Sequence, residues 1–596
     1  MIKNVIQSIR DSVEKYTDKI ALINGELKFT YADIEDMSNK VCKYLADKSI
    51  GKEHVVAIYM DRSYLSVISV LGILKAGAAF LPIDIKTPVK RANFMAITSK
   101  AKCVIKDNKH MEGIGDSTFL SFNIHDILSL NKEVGYYINE SVDDDSLAYI
   151  LFTSGSSGLP KGAMIEHGGM NNHLSEKIRI LNLSDESIVA HNASISFDVS
   201  VWQMLSPLCV GATIIIYPEE LILNIKSFIN VLHDNSVNVL EVVPTYLNLL
   251  MNEMKDHPHN FKDLKYLIST GEVLTKNLAD RCFDVLPDAV LVNAYGPTEA
   301  SDDILHCIIE KIDNYDPIPI GKPINNAEIT IVNPDGGLCE INEPGELWVS
   351  GICVGRGYVG NDEETKLSFS YDFNTNKRIY KTGDLASLGS DGNFYFHDRL
   401  NMQIAFHGKR IEIKEIENTM LKYTGIKASA VVYDPINQRI DACYISDTVI
   451  NVNDIKRFLK SLLPFHMIPL SIIKLDKMPI NISGKTDYNA LNEMFYSSNK
   501  NALLKENILN EYTPEESKLL KMIMDVIGIS QLPDDNNWKV DMRTMGLNSI
   551  NAIKLVLEVE ETYDIEIEEE KLISEILFDY NELKKLIDDT RINAGV

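Results

Sequence analysis

A loop of hydroxyls and glycines follows the apolar stretch 147–153, and its residue types suit the binding of a polyphosphate. The loop runs from Thr153 to Gly158 and closes at Lys161 and Gly162. Small residues let backbone N–H groups turn toward one point, hydroxyls add donors, and a lysine adds positive charge. The spacing departs from GxxxxGK[ST], because Gly162 stands where a metal-binding Ser or Thr would follow the lysine. We therefore predict a phosphate-binding loop that is not a P-loop, with a merely flexible Gly/Ser loop as the alternative.

Three carboxylates stand near strand-like segments further along the chain. Asp198 lies among apolar residues, where an unpaired carboxylate is costly. We expect it to have a cationic partner, either a ligand ammonium or a neighbouring Lys or Arg. Glu299 and Asp384 each follow a turn-like sequence, and we expect Asp384 to be exposed. Carboxylates beside a phosphate site commonly hold Mg²⁺ or accept hydrogen bonds from ribose hydroxyls, and both roles suit ATP.

Helical and strand-like segments alternate along the part of the chain that must position these groups. Such alternation predicts an α/β layered fold with polar residues at the strand ends, where ligand sites of α/β folds lie. Helical spacing covers residues 31–46 and 64–75, and strand-like runs cover 55–60, 208–217, 237–244 and 264–272.

Composition and charge exclude several classes of protein. The 596 residues suggest about three to five domains, and 45% hydrophobic with 24% charged residues is typical of a soluble globular protein. A net charge of -26 disfavours nucleic acid and anionic membrane as partners. No stretch resembles a signal peptide or a membrane span, so we expect a cytoplasmic protein. The eight cysteines are scattered, which favours reduced thiols over disulfides or zinc ligands.

Nine sequence motifs occur along the chain in the order found in a known protein family. From about residue 28 to about 580, the chain resembles the adenylation domain of a nonribosomal peptide synthetase followed by a peptidyl carrier domain. Each motif alone is weak, but their order is a strong signal. They are LKAGAAFLPID, LAYILFTSGSSGLPKG, FDVSVW, NAYGPTE, GELWVSGICVGRGY, YKTGDL, DRLNMQIAFHGKRIEIKEIE, LPFHMIP and NISGKTD.

The resemblance implies the fold of adenylate-forming enzymes. It predicts a large N-terminal α/β domain over residues 1–400, a small mobile α+β subdomain over 401–497, a linker over 498–512 and a four-helix-bundle carrier domain over 513–596. The hinge position falls on Asn401, where the family usually has Asp or Lys. The family's usual residues are also replaced by Asp398, Ala405 and His407, which puts the contacts of the thiolation state in doubt.

The resemblance also implies a reaction. A substrate carboxylate attacks the α-phosphorus of ATP, giving an aminoacyl adenylate and pyrophosphate, with Mg²⁺ held by Glu299. Lys485 is implied as the catalytic cation, with Lys161 on the departing phosphates, while Tyr295 stacks on adenine. The implied ATP-binding residues are Thr153, Ser154, Gly155, Ser156, Ser157, Gly158, Lys161, Asn293, Ala294, Tyr295, Gly296, Thr298, Asp384 (ribose), Arg399 and Lys485.

Near the C-terminus, DMRTMGLNSI resembles the carrier motif in which Ser549 receives 4'-phosphopantetheine from a phosphopantetheinyl transferase. Taken alone, a serine before a helical segment is more often only an N-cap. Asn548 stands where many carriers have Asp or His. Residues 513–596 carry 19 acidic and nine basic side chains, a net charge of -10 that acidic carriers often show.

The resemblance favours an amino-acid substrate, because Asp198 in its FDxSxW context corresponds to the residue that pairs with an α-ammonium. Glu241, Asp302 and Asp303 add three acids to the pocket, and crowded carboxylates resist ionisation unless a cation sits among them. We therefore predict a basic substrate such as arginine, lysine or ornithine. The alternative is that residues 301–303 cap a helix beginning near Ile304. The implied pocket residues are Asp198, Val199, Trp202, Glu241, Ile268, Thr270, Ala294, Asp302 and Asp303, together with Lys485.

Two other functions remain open from the sequence. One is an acyl-CoA or aryl-acid ligase of the same fold, which Asp198 and the Ser549 segment disfavour. The other is a catalytically silent scaffold, which the retained Lys485, Glu299 and Asp384 disfavour. No HHxxxDG condensation motif or GxSxG thioesterase motif occurs, so we expect a downstream condensation or tailoring enzyme to act in trans. His191 and His407 are interpreted as structural.

Overall fold

Two compact units divide the protein, the first formed by residues 1–155, 159–218 and 232–410 and the second by the remainder. The predicted linker 498–512 lies outside the described residues, and the predicted domain boundaries stay predictions. Among the residues described, no helix is both long and apolar enough to cross a membrane. The computed structural model describes residues 4–110, 114, 119–130, 142–155, 159–256, 261–311, 315–372, 375–400, 403–406, 409–435, 439–448, 450–479, 486–496, 513–527, 532, 536–539, 542, 547, 549–563, 565, 567 and 574–594.

Helices and strands alternate through the first 311 residues. The N-terminal elements are α1 Val5–Lys15, β1 Ile20–Asn24, β2 Leu27–Thr30, α2 Tyr31–Asp47, β3 Val55–Tyr59, α3 Tyr64–Lys75, β4 Ala79–Ile83, α4 Val89–Thr98, β5 Cys103–Lys106, β6 Leu120–Asn123, α5 Ile124–Leu128 and β7 Leu147–Thr153. They are followed by β8 Lys161–Glu166, α6 His167–Ile180, β9 Ile188–His191, α7 Val199–Cys209, β10 Thr213–Ile216, α8 Glu219–Leu223, α9 Ile225–Asp234, β11 Val239–Val242, α10 Pro244–Asp256, β12 Tyr266–Ser269, α11 Lys276–Val285, β13 Val290–Tyr295 and β14 Leu305–Ile309.

Strands dominate the next hundred residues, and helices dominate the C-terminal region. The former are β15 Lys322–Pro323, β16 Ala327–Val332, β17 Gly345–Gly351, β18 Gly357–Tyr358, α12 Asp362–Ser368, β19 Phe369–Tyr371, β20 Arg378–Leu388, β21 Phe394–Arg399, β22 Gln403–Phe406 and β23 Lys409–Glu412. The rest are α13 Ile413–Leu421, β24 Ala428–Asp434, β25 Arg439–Ile445, α14 Val452–Lys460, β26 Ile472–Lys474, α15 Tyr488–Tyr496, α16 Pro514–Ile527, α17 Ser549–Tyr563, α18 Ser574–Phe578 and α19 Tyr580–Ala594.

A seven-stranded sheet in the order β18-β8-β7-β4-β3-β5-β6 carries the predicted phosphate-binding loop. Strands β3, β4 and β5 are buried along their whole length and pair in parallel, as expected for strands covered on both faces. Strands β7 and β8 are antiparallel, and their register places Thr153 opposite Lys161. The loop is therefore the connection of a hairpin whose two ends are fixed by the sheet.

A nine-stranded sheet, in the order β15-β14-β13-β12-β11-β9-β10-β1-β2, carries the predicted substrate pocket. Strands β11, β12 and β13 are parallel neighbours, with Glu241 opposite Ile268 and Ile268 opposite Val292. Ala294 follows two residues later on the same strand. The carboxyl ends of parallel strands meet at one edge, so the register brings these pocket positions together.

A five-stranded antiparallel sheet, β16-β17-β20-β19 with β21 added to β20, carries Asp384 and Arg399. The two residues are directly opposite each other on β20 and β21. The prediction that Asp384 is exposed in a turn is wrong. Strand β20 continues to Leu388, and Asp384 is only 2% exposed.

Most predicted elements are confirmed, with one exception of type. Helices over 31–46 and 64–75 and strands within 237–244 and 264–272 are all present. The predicted strand over 208–217 is wrong in its first half, because α7 continues to Cys209 and the strand begins only at Thr213. Gly211, with φ +82°, makes the turn between them in a conformation that few other residues adopt.

Helices α16 to α19 pack around one apolar core in the C-terminal region. Leu520, Ile523, Val559 and Leu583 are fully buried within it. Trp538 is 1% exposed and packs edge-on against Tyr580, with ring centroids 5.2 Å apart. Two of these helices are α16, Pro514–Ile527, and α17, which begins at Ser549.

Candidate active site

The predicted phosphate-binding loop is held tightly at both ends. A Cβ atom on Gly155 would lie 1.8 Å from the backbone oxygen of Leu159, so this position admits glycine alone. The hydroxyl of Thr153 is buried and has no hydrogen-bond partner among the described atoms. A buried hydroxyl without a partner is costly, and a phosphate oxygen would satisfy it. Ser156, Ser157 and Gly158 lie outside the described residues.

Lys161 is already paired in this structure. Its Nζ lies 2.5 Å from Oε1 of Glu364 at the start of α12, and its side chain is 7% exposed. The same ammonium lies 5.5 Å from the ring centroid of Tyr358, whose hydroxyl donates to Oε1 of Glu299 at 2.7 Å. The predicted phosphate-binding lysine and the predicted Mg²⁺ ligand thus belong to one connected group. No sequence signal indicated Glu364, which lies 203 residues from Lys161.

A second group joins the predicted nucleoside-binding residues. The hydroxyl of Tyr295 donates to Oδ2 of Asp384 at 2.5 Å, and Nε of Arg399 lies 2.9 Å from Oδ1 of the same carboxylate. Arg399 also donates to Gln403. Burial and the adjacent Asp384 raise the pKa of Tyr295 well above its ordinary value, so the phenol remains a donor. Asn293 has a structural contact, since its Nδ2 donates to the backbone oxygen of Pro319 at 2.9 Å.

Asp198 caps helix α7. Its Oδ1 accepts from the backbone N–H of Val199 at 3.0 Å, and its Oδ2 accepts from the hydroxyl of Thr298 at 2.5 Å. Burial raises the pKa of Asp198 above its ordinary value. In the part of the chain that the structure describes, no Lys or Arg forms an ion pair with Asp198, and its cationic partner stays a prediction.

The turn at residues 301–303 directs two acids inward. Ser301 and Asp302 have φ of 67° and 84°, in the left-handed region that ordinary side chains rarely adopt. The hydroxyl of Ser301 donates to the backbone oxygen of Cys353 at 2.6 Å and fixes the turn. The alternative that residues 301–303 cap a helix near Ile304 is wrong, because strand β14 begins at Leu305.

Gly296 is the residue that allows this turn, and its replacement by alanine is expected to be severe. A Cβ there would lie 1.9 Å from the backbone oxygen of Asp302 and 2.6 Å from Cα of Asp303. Because backbone atoms must move, we expect Gly296→Ala to lower the free energy of unfolding by about 2 to 4 kcal/mol.

Thermal denaturation measures this loss. Gly337→Ala is the matched control, since its Cβ would meet only the flexible side chain of Asn333 at 3.2 Å. We expect the control to keep the wild-type melting temperature within a few degrees. Equal melting temperatures for the two variants would contradict the close approach at Gly296.

A buried cluster of charges lies behind this turn, and Lys177 of α6 is at its centre. Its Nζ lies 2.7 Å from Oδ2 of Asp303 and 3.0 Å from Oε2 of Glu241, with the side chain 1% exposed. The indole N–H of Trp202 donates to the same Glu241 oxygen at 2.7 Å. The cation that the crowded pocket acids require is therefore present in the protein itself.

Two histidines complete the cluster on the side of the 301–303 turn. Nε2 of His173, one helical turn before Lys177, lies 3.3 Å from Oδ2 of Asp302, and Nε2 of His306 lies 3.1 Å from Oδ2 of Asp303. His173 and Lys177 were not predicted from the sequence. Their i,i+4 spacing in an otherwise buried helix was the available signal.

The acids of the cluster differ in charge because they share one ammonium. Lys177 and the two histidines hold the pKa of Asp303 well below its ordinary value. Burial raises the pKa of Asp302 well above its ordinary value and that of Glu241 to about 7. Burial also lowers the pKa of His173 to about 4, so this imidazole is neutral. The cluster therefore carries little net charge.

The protonation of Glu241 predicts a pH dependence of stability. The native carboxyl keeps its proton to about pH 7, whereas the unfolded chain releases it near 4.5. In this window the native state binds more protons, so stability falls as pH rises. Glu241→Gln lacks this group, and the melting temperature of the wild type minus that of the variant should therefore decrease from pH 5 to pH 8. A difference that stays constant over this range would contradict a protonated Glu241.

One group of side chains has the geometry of a metal site, but a lysine already binds part of it. The potential ligand atoms of His173, Asp302 and Asp303 lie within 4.8 Å of one another, the only such group among the described residues. The ammonium of Lys177 lies 2.7 Å from Oδ2 of Asp303, so one of the three residues is already paired with a cation. We therefore interpret the group as an ion-pair cluster.

The remaining predicted pocket residues lie on α7 and on or directly after strands β12 and β13. Trp202, Ile268 and Ala294 are buried, and Val199 and Thr270 are half-buried. Lys485 and the hinge residue Asn401 lie outside the described residues, and nothing is described of the Ser549 side chain beyond its place in α17.

Comparison with protein families gives two matches in the order that the motifs predict. The model of AMP-binding enzymes matches residues 9–359, and that of the phosphopantetheine attachment site matches residues 517–588.

Curated proteins similar to the chain include several synthetases. Zwittermicin A synthase ZmaJ of Bacillus cereus is 31% identical over 491 residues, covering 81% of this chain and 93% of that protein. Tyrocidine synthase 1 of Brevibacillus parabrevis is 30% identical over 580 residues, covering 96% and 52%. Gramicidin S synthase 2 of Brevibacillus brevis is 31% identical over 573 residues, and the chain spans only 12% of its length.

Solved structures share the fold over nearly the whole chain. Holo-PA1221, a protein with adenylation and peptidyl carrier domains bound to a vinylsulfonamide inhibitor, has a TM-score of 0.78 at 20% identity. The match covers 94% of this chain and 92% of that one. NpsA-ThdA, an artificially fused adenylation–carrier di-domain from Klebsiella oxytoca, has a TM-score of 0.71 at 21% identity and covers 89% and 98%.

Proposed function

Since the chain belongs to the family of AMP-binding enzymes and carries a phosphopantetheine attachment domain, we propose that it loads an amino acid onto its own carrier. The amino acid is first activated by ATP as aminoacyl-AMP and then passes to a 4'-phosphopantetheine thiol on Ser549. The observation that carries this proposal is Asp198, a helix-capping carboxylate that no lysine or arginine of the described chain pairs. Asp198 fits the α-ammonium of an amino acid. A fatty or aryl acid has no such ammonium for it to bind.

The first half-reaction needs positioning and charge neutralisation more than covalent help. A carboxylate oxygen of the amino acid attacks the α-phosphorus of ATP, and the bond to the bridging oxygen breaks as pyrophosphate leaves. The Thr153 hydroxyl and the Lys161 ammonium bind the departing phosphates. For this, Lys161 exchanges its contact with Glu364 for a phosphate oxygen.

Magnesium and the nucleoside have separate binding groups. Glu299 is a buried carboxylate beside the Lys161 group, and this donor fits Mg²⁺, which would neutralise charge on the ATP phosphates. Asp384 is fixed by Tyr295 and Arg399, and it accepts hydrogen bonds from the ribose hydroxyls. By resemblance Lys485 supplies the catalytic cation. Stacking of Tyr295 on adenine and the hinge at Asn401 remain predictions.

The second half-reaction moves the acyl group to the carrier. The phosphopantetheine thiolate attacks the carbonyl carbon of the adenylate, the bond to the phosphate oxygen breaks, and AMP leaves with that oxygen. A phosphopantetheinyl transferase must first modify Ser549. The resulting thioester is a substrate for a condensation or tailoring enzyme acting in trans.

The side chain of the amino acid needs a revised proposal. A basic substrate was predicted because Glu241, Asp302 and Asp303 had no cation among them. Lys177 occupies that role for two of the three acids. The charge of these acids then no longer requires arginine, lysine or ornithine, and a neutral side chain with hydrogen-bond donors is compatible with it.

Exchange of labelled pyrophosphate into ATP tests the first half-reaction. The full chain is assayed with each proteinogenic amino acid, with ornithine, and with fatty and aryl acids. Exchange that depends on an amino acid supports the proposal. Exchange with fatty or aryl acids alone would favour the acyl-CoA or aryl-acid ligase instead, and exchange with no acid would favour the catalytically silent scaffold.

A further inference from the structure

Lys177 contacts two of the residues predicted to line the substrate pocket, although it belongs to none of the motifs. It projects from helix α6, its side chain is 1% exposed, and its ammonium contacts Asp303 and Glu241 at 2.7 and 3.0 Å. It also lies 4.8 Å from the ring centroid of Trp202. A buried ammonium is stable only when it is paired, so this lysine cannot turn out to solvent when a ligand enters.

The acids around Lys177 keep unused acceptor atoms. Lys177 and Trp202 both contact Oε2 of Glu241, whereas Oε1 is buried and has no hydrogen-bond partner among the described atoms. Because the pKa of Glu241 is raised to about 7, Oε1 is an acceptor once the carboxyl is ionised above that pH. Oδ1 of Asp303 is likewise buried and has no hydrogen-bond partner among the described atoms. Each buried acceptor without a donor costs about 1 to 3 kcal/mol. A ligand that brings N–H or O–H groups to this part of the pocket would remove that cost.

The charge of Lys177 opposes a second cation at the same place. Two unit charges 5 Å apart repel by about 3 kcal/mol at an effective dielectric constant of about 20. A lysine, ornithine or arginine side chain that reached Glu241 or Asp303 would come within such a distance of the ammonium, since both acids are its direct partners. The ammonium of Lys177 thus already neutralises the acids that would otherwise attract a basic substrate.

We propose that Lys177 is a specificity-determining residue, which selects an amino acid with a neutral, hydrogen-bond-donating side chain by supplying the counter-charge that a basic side chain would otherwise bring. It acts through Glu241 and Asp303 and is therefore a positioning residue. The expected substrate class is an amino acid with a hydroxyl or carboxamide group. This inference rests on the proposed function of amino-acid activation.

Removal of the positive charge of Lys177 tests the inference. Lys177→Met keeps the length of the side chain and removes the ammonium. We expect the ratio of kcat/KM for ornithine or lysine to that for the best neutral amino acid to rise at least tenfold in pyrophosphate exchange. The matched control is the double variant Lys177→Met with Asp303→Asn, which removes one cation and one anion, and we expect it to keep the wild-type ratio within about threefold.

Two results would overturn the inference. One is a wild-type enzyme that already prefers ornithine, lysine or arginine, and the other is a Lys177→Met variant with an unchanged ratio. If Lys177→Met is not recovered in soluble form, Lys177→Arg carries the test. It keeps the charge and should keep the ratio within about threefold, and a rise of tenfold or more overturns the inference.

A binding measurement separates this inference from the proposed function. Melting temperatures are recorded with saturating ornithine and with a neutral amino acid of similar length, which requires no catalysis. Ornithine should stabilise Lys177→Met and leave the wild type unchanged. If no amino acid supports pyrophosphate exchange but ornithine raises the melting temperature of Lys177→Met, the proposed function is rejected and the role of Lys177 is kept. Absence of the shift would reject that role.

Discussion

Replacement of Ser549 by alanine is expected to abolish thioester formation completely and to leave amino-acid-dependent pyrophosphate exchange within about twofold of the wild-type rate. Ser549 begins α17 in the C-terminal helices, whereas Thr153, Lys161 and Asp198 lie in the first compact unit. The two half-reactions therefore depend on different residues. Intact mass after treatment with a phosphopantetheinyl transferase, ATP and amino acids measures the loading.

Ser574→Ala is the matched control for this experiment, because Ser574 is likewise the first residue of a helix, α18. If Ser549 had no role beyond its place at the start of a helix, both variants would still be loaded. We expect the Ser574 variant to gain the full mass of phosphopantetheine and amino acid. A Ser549→Ala protein that gained either mass would show that the attachment site lies elsewhere.

Asp384→Ala is expected to lower kcat/KM for ATP about 100-fold. The carboxylate is 2% exposed and fixed by Tyr295 and Arg399, so it is positioned to accept from two ribose hydroxyls without reorganisation. Hydrogen bonds to a charged group contribute about 1.5 to 3 kcal/mol each, and about 2.7 kcal/mol corresponds to the stated factor. Steady-state pyrophosphate exchange at varied ATP measures it.

The control for Asp384 lies on the same sheet. Glu328 of β16 pairs with Lys377 on the surface, with side chains 62% and 44% exposed, and Glu328→Ala should leave kcat/KM for ATP unchanged. Melting temperatures of both variants separate loss of binding from loss of folding. A folded Asp384→Ala enzyme with wild-type kinetics for ATP would remove ribose binding from the role of this residue.

The fold and the family could be predicted because they follow from local patterns. Motif order from LKAGAAFLPID to NISGKTD identified the family, and that resemblance is confirmed. Helical spacing located α2 and α3 within one residue of their ends, since burial of one helix face imposes a period on the sequence. The error at 208–217 arose because a short buried helix end and a buried strand have equally apolar sequences.

The site was only partly predictable, because its charges are paired across the fold. From the sequence, Asp198 and Glu241 were predicted as pocket residues, and their charge was assigned to a ligand. Lys177 lies 64 residues from Glu241 and 126 from Asp303, and no periodic pattern connects positions so far apart. The contact of Glu364 with Lys161 is hidden for the same reason.

What the sequence alone determined is the class of chemistry, because a phosphate-binding loop, acids at strand ends and a carrier serine are properties of residue type and order. The tertiary structure decided which charges are already neutralised. That decision depends on distances of about 3 Å between side chains that only packing brings together. In a buried pocket these distances fix the protonation of each acid, and hence the side chain that the pocket can accept.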